Sequence, residues 1–87
     1  MAEPTAAALR ERLERELGAE HVAVEVAPGC AGSFRLLVVA SAFRGRGLLQ
    51  RHRLVNEALG EELERIHALE QRTLTPEQWA AEQERFA

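Results

Sequence analysis

The spacing of apolar residues changes abruptly at Gly18. Before it, Leu9, Leu13 and Leu17 recur every fourth residue with Arg and Glu between them; after it, Val22, Val24 and Val26 recur every second residue. The first rhythm lines one face of a helix and the second lines one face of a strand, so the chain must pack helix on sheet. Pro4 and Gly18 bracket the helix, and the glycine suits a C-cap. His21 to Val26 is then a strand with one buried face. Ala27 to Ser33 contains Pro28, Gly29 and Gly32 and has to turn. Beyond the turn, Phe34, Leu36, Val38 and Ala40 share one face while Leu37 and Val39 share the other with Arg35 and Ser41. A strand apolar on both faces belongs in the middle of a sheet. The two strands make a hairpin with a loop of several residues.

Leu48, His52, Val55, Leu59 and Leu63 return to three-to-four spacing, giving a second helix after Gly45 and Gly47. Its first half carries Arg51 and Arg53, just after Arg44 and Arg46, and its second half runs into Glu57, Glu61, Glu62 and Glu64. This order opposes the helix dipole, which favours acids first. Ile66 to Leu74 reads as a third strand. Thr75, Pro76 and Gln78 supply an N-cap, a first-turn proline and a capping-box partner, so a last helix begins at Pro76 with Trp79, Gln83 and Phe86 as its inner stripe. The order helix, strand, strand, helix, strand, helix predicts an α+β fold, a three-stranded sheet with helices packed on one face. At 87 residues, the whole chain, 1–87, is expected to form one domain. A domain of this size buries only about 60–65% of its unfolded surface. Trp79, Phe34, Phe43 and Phe86 are therefore core candidates.

Several function classes recede on composition. Hydrophobic residues make up 46% and charged residues 29% of the chain, which favours neither disorder nor a membrane span. The net charge of −3 argues against holding nucleic acid through bulk positive charge. A single Cys excludes an internal disulfide and a dithiol redox mechanism, and suits a reducing compartment. Nothing at Met1 to Ala8 reads as a secretory signal. The expected location is the cytoplasm, with the nucleus as a second compartment.

The residues able to carry chemistry are few. Cys30 sits between Gly29 and Gly32 in the turn, where it is either an incidental loop cysteine or a reactive one with His21, His52 or His67 as its base. His52 falls on the apolar stripe of the second helix, and His67 stands at the start of the third strand. No zinc spacing joins the histidines. One thiolate and three imidazoles fall short of the four thiolates of a ferredoxin-type cluster, but they could supply half a site, since imidazole replaces thiolate at iron in Rieske-type centres. A partner would bring the remaining ligands. Gly45-Arg46-Gly47, with Arg44, Arg51 and Arg53, reads as a solvated helix start or a protein-docking patch. It lacks the GxxxxGK[ST] or GxxG frame of a phosphate or nucleic-acid motif. No carboxylate pair stands out for acid/base work.

Four strings are specific: S-F-R-L-L-V-V from Ser33, F-R-G-R-G-L-L-Q-R-H-R-L-V-N from Phe43, E-E-L from Glu61, and I-H-A-L-E-Q-R-T-L-T-P-E-Q-W from Ile66. Together they resemble the BolA family, in its short cytosolic type, from about Leu9 to Trp79. The resemblance implies a class II KH-like fold and an adaptor without catalytic activity. Such adaptors bind monothiol glutaredoxins and share a bridging [2Fe–2S] cluster with them, with glutathione on the glutaredoxin side. On the BolA side the ligands map to His67 in I-H-A and to Cys30. On this reading Arg44, Arg46, Arg51 and Arg53, with Trp79 on the last helix, help dock the glutaredoxin, and the apo chain is a monomer away from membranes. The competing expectation is a nucleic-acid-binding transcriptional regulator of the bacterial BolA kind.

Overall fold

The structure, a computed structural model, describes residues 5–27, 29 and 32–86, the side chain of Phe86 excepted. The chain runs α1 (Ala6–Leu17), β1 (His21–Val26), β2 (Ser33–Val39), α2 (Leu48–Leu59), β3 (Ala68–Leu74) and α3 (Pro76–Phe86), with 3₁₀ turns at Ser41–Phe43 and Gly60–Arg65. The Thr5 hydroxyl caps α1 by accepting from the Ala8 N–H at 3.1 Å, and the helix ends on Gly18 in the left-handed region at φ 60°. At the other capping box, Thr75 N–H donates to Gln78 Oε1 and Gln78 N–H donates to Thr75 Oγ1, which starts α3 where the sequence expects it.

The sheet order is β1-β2-β3, with β1 antiparallel and β3 parallel to the central β2. Register places Val22 beside Val38 and Val24 beside Leu36, with Leu69 and Thr73 across from Phe34 and Val38. This face meets Leu9 and Leu13 of α1, Val55, Ala58 and Leu59 of α2, and Phe43, forming one buried cluster. Each fully buried side chain of this kind contributes about 1.5–3 kcal/mol relative to exposure. Arg12 joins the two helices, its Nε donating to the Ala58 carbonyl at 2.8 Å near the end of α2.

Four expectations are corrected. Val26 is 56% exposed because β1 is an edge strand whose end runs past the helices, and Leu48 is 65% exposed because the buried stripe of α2 begins only at Val55. Leu63 lies in the 3₁₀ turn after Gly60 and packs only partly against the core. β3 starts at Ala68 rather than Ile66, since the Ile66 N–H closes the 3₁₀ turn on the Leu63 carbonyl at 3.2 Å.

The α+β class holds, but α3 does not share the face of α1 and α2. His21, Val39 and Leu74 form one row on the opposite face, because they alternate with Val22, Val38 and Thr73. Trp79 stacks on His21 with ring centroids 4.8 Å apart. Leu74 lines a crevice with α3 residues Gln78, Ala81, Glu82 and Arg85. Val39, between His21 and Leu74, is fully buried. A central strand with two apolar faces needs cover on both, and α3 supplies the second at this end. Trp79 is half-buried and Gln83 exposed, so neither is a core residue; the Phe86 side chain lies outside the described residues.

Candidate functional site

Because β2 and β3 are parallel and Ser33 pairs with Ala68, the residues just before each strand are forced together. Those residues are Gly32, ending the β1–β2 turn, and His67. The His67 N–H donates to the Gly32 carbonyl at 2.7 Å. A Cβ placed on Gly32 would lie 3.6 Å from the His67 Cβ. His67 is exposed, so its imidazole stands at the open corner between turn and strand. Cys30, two residues before Gly32 in the chain, lies outside the described residues.

The other histidines lie elsewhere. His21 pairs in register with Val39 at the far end of the sheet, and His52 is half-buried on α2. Among the described residues no group of three or more His, Cys, Asp or Glu comes together to hold a metal ion. What this corner offers is one exposed nitrogen donor beside a turn.

The four arginines of the docking patch and Trp79 lie at the opposite end of the sheet. β3 separates them from His67, its seven residues spanning about 20 Å. Arg51 is half-buried and makes three hydrogen bonds: Nε donates to the Arg46 carbonyl at 2.9 Å, and Nη1 donates to the Thr73 carbonyl at 3.2 Å and to Gln78 Oε1 at 2.9 Å. Arg44 grips the Glu77 carboxylate of α3 through Nε and Nη2. That hydrogen bond holds the Glu77 carboxyl below its ordinary range and raises the Arg44 guanidinium above its own. Arg46 donates to the Ala42 carbonyl at 3.0 Å. Arg53 points to solvent. Three of the residues expected to dock a partner, Arg44, Arg51 and Trp79, therefore hold α3 against the body of the domain. Arg46 and Arg53 remain exposed, beside Leu48 and Leu49, each 65% exposed.

Sequence reasoning missed the Gly32–His67 contact and the His21–Trp79 stack. Both arise from strand pairing between distant segments, for which no local pattern carries a signal. It also missed the Gln71–Asn56 hydrogen bond at 2.7 Å, which ties β3 to α2.

An αββαβα chain with a mixed three-stranded sheet, and an exposed histidine entering the parallel edge strand beside a glycine turn, defines one class of small α+β domain. Comparison with known proteins says which. A family model described as BolA-like protein matches residues 8–78. Human BolA-like protein 2 is 60% identical over 79 residues, covering 88% of this chain and 92% of that protein, and the mouse protein of the same name is 64% identical over 73 residues, covering 82% and 85%. The crystal structure of a Bol-like protein from Babesia bovis superposes with a TM-score of 0.85 at 35% identity, covering 94% of this chain and 96% of that one. The chain belongs to the BolA family. Among the described residues no helix is long and apolar enough to cross a membrane.

Proposed function

We propose that the chain is an iron–sulfur adaptor that binds a monothiol glutaredoxin and shares a [2Fe–2S] cluster with it, glutathione being held on the glutaredoxin side. The observation that carries this reading is the exposed His67 held against the turn that contains the chain's single cysteine. A [2Fe–2S] centre takes four protein-type ligands, two per iron. His67 and Cys30 offer two, enough for one iron, so the donor set fits a shared cluster and falls short of one held alone. When bound, the cluster supplies an iron–sulfide cargo with accessible redox chemistry. The chain itself positions the donors: the hydrogen bond from the His67 N–H to Gly32 fixes where the imidazole stands relative to the turn, and exposure leaves the partner a clear approach.

In this role the chain binds and hands on rather than catalyses. Mixing it with a monothiol glutaredoxin, glutathione, iron and sulfide is expected to give a heterocomplex with cluster absorption. His67→Ala removes the distinctive spectrum while binding of the apo partner persists. An unchanged spectrum in the Cys30→Ala, His67→Ala double variant refutes the ligand assignment. A nucleic-acid regulator has less support, because Arg44 and Arg51 already have partners within the domain. Affinity for single-stranded DNA at two salt concentrations tests it, a steep loss revealing phosphate contacts.

A further inference from the structure

The outer edge of β3 begins one residue after His67, and the structure shows which of its backbone groups are free. The Ala40 N–H donates to the Leu74 carbonyl at 3.1 Å, so Leu74 points its backbone groups toward β2. Backbone direction alternates along a strand, so Arg72, Glu70 and Ala68 also point inward, while Thr73, Gln71 and Leu69 point away from the sheet. The Thr73 carbonyl is already taken by the Arg51 guanidinium. The outward N–H and C=O groups of Leu69 and Gln71 have no hydrogen-bond partner among the described residues.

Proteins usually blunt such an edge, because unpaired strand groups template another strand. Here Arg51 blunts only the end remote from His67. The other edge of the sheet, along β1, faces Ala6, Ala7 and Arg10 of α1 across a cleft at Val22 to Val24 and is exposed at Val26. The unpaired stretch of β3 runs directly from the candidate ligand corner at His67.

We infer that Leu69 and Gln71 receive an extended segment of the glutaredoxin by strand addition, so that the partner is aligned by backbone hydrogen bonds as it reaches His67. This inference rests on the adaptor reading above and adds how the partner is registered. Strand addition draws affinity from main-chain hydrogen bonds and selectivity from the flanking side chains. The flanking side chains Glu70 and Arg72 are already paired, with Arg35 and Glu82, so backbone bonding rather than charge carries the contact here.

Amide hydrogen exchange on the free chain and on its cluster-loaded complex with a monothiol glutaredoxin tests the inference. The Leu69 and Gln71 amides are expected to slow by about tenfold or more on complex formation. The Glu70 and Arg72 amides, already bonded to β2, serve as internal references. Gln71→Pro removes the outward N–H at a position where an edge strand tolerates proline, and is expected to weaken complex formation about tenfold. Gln71→Ala loses the same side-chain bond to Asn56 but keeps that N–H, so Gln71→Pro is expected to bind about tenfold more weakly than Gln71→Ala. Complex formation with Leu69 and Gln71 exchanging as fast as in the free chain overturns strand addition while leaving the adaptor reading intact. Failure of any complex to form overturns both. If Gln71→Pro does not fold, exchange on the parent chain still decides.

Discussion

Replacing Arg51 by Ala separates a structural arginine from a docking one. Its guanidinium makes three hydrogen bonds to the Arg46 carbonyl, the Thr73 carbonyl and Gln78 Oε1, and so connects the start of α2, the end of β3 and the first turn of α3. A typical intramolecular hydrogen bond contributes about 0.5–1.5 kcal/mol net. Arg46 and Gln78 are exposed, so water readily replaces those two bonds. The part-buried bond to the Thr73 carbonyl gives an expected loss of about 1 kcal/mol. For a domain of this size that corresponds to a fall in Tm of about 4–8 °C, measured by circular dichroism or calorimetry. Arg51→Lys recovers only part of the loss, because an ammonium cannot span carbonyl and amide with the fixed fork of a guanidinium. Arg53→Ala, at an exposed side chain with no hydrogen bond or ion pair among the described residues, is expected to leave Tm unchanged. A fall of less than about 3 °C in Arg51→Ala would show that the three bonds are solvent-replaceable and that Arg51 is free for a partner after all.

Other perturbations probe other parts of the fold. Gly60 sits at φ 55° and ψ −127°, and a Cβ there would meet Arg12 Nη2 at 2.8 Å; Gly60→Ala is expected to cost about 1–3 kcal/mol in urea unfolding, chiefly from the backbone conformation. His21→Ala removes the ring beneath Trp79 and is expected to cost about 0.5–1.5 kcal/mol and to shift tryptophan emission; unchanged emission would place Trp79 elsewhere. The Glu77 carboxyl, lowered by its hydrogen bond to Arg44, contributes stability that is present above the ordinary carboxylate pKa of about 4.3 and is lost as pH falls through its lowered folded value. The stability gap between the parent and Glu77→Gln should therefore close between neutral and strongly acid pH, and a gap that stays constant would dissociate Glu77 from Arg44.

The elements themselves were legible wherever the local pattern was strong. His21–Val26 is a strand over the span that its alternating valines mark, and Thr75 with Gln78 forms the capping box that their spacing announces. The two apolar faces of β2 correctly place it in the centre. The same observation held the clue to α3, since Val39 on the second face needed cover, but nothing local says which helix provides it. The candidate site was half legible: His67 stood out as a residue type in a specific string, while its meeting with Gly32 depends on β3 running parallel to β2. Parallel or antiparallel pairing of β3 satisfies the same alternation of side chains, so no periodicity distinguishes them. The internal bonds of the arginines were illegible for a related reason, because a basic run looks the same whether its side chains reach solvent or reach carbonyls on another strand.

The two ends of the sheet are coupled through register. A one-residue slip of β3 against β2 would carry Leu69 off the core face, and burial opposes it strongly. A two-residue slip preserves the faces and would move His67 by about 6.6 Å relative to Gly32, enough to dismantle the corner. What resists that slip is side-chain bonding along β3, namely Gln71 to Asn56 and the Arg51 guanidinium bridging the Thr73 carbonyl to Gln78. Arg51 therefore influences the His67 corner from the far end of β3 without touching it. While Arg51→Ala remains folded, the Gln71 to Asn56 bond holds the register and the cluster spectrum should match the parent's. Loss of the spectrum below the unfolding transition would mean that the register depends on Arg51 alone.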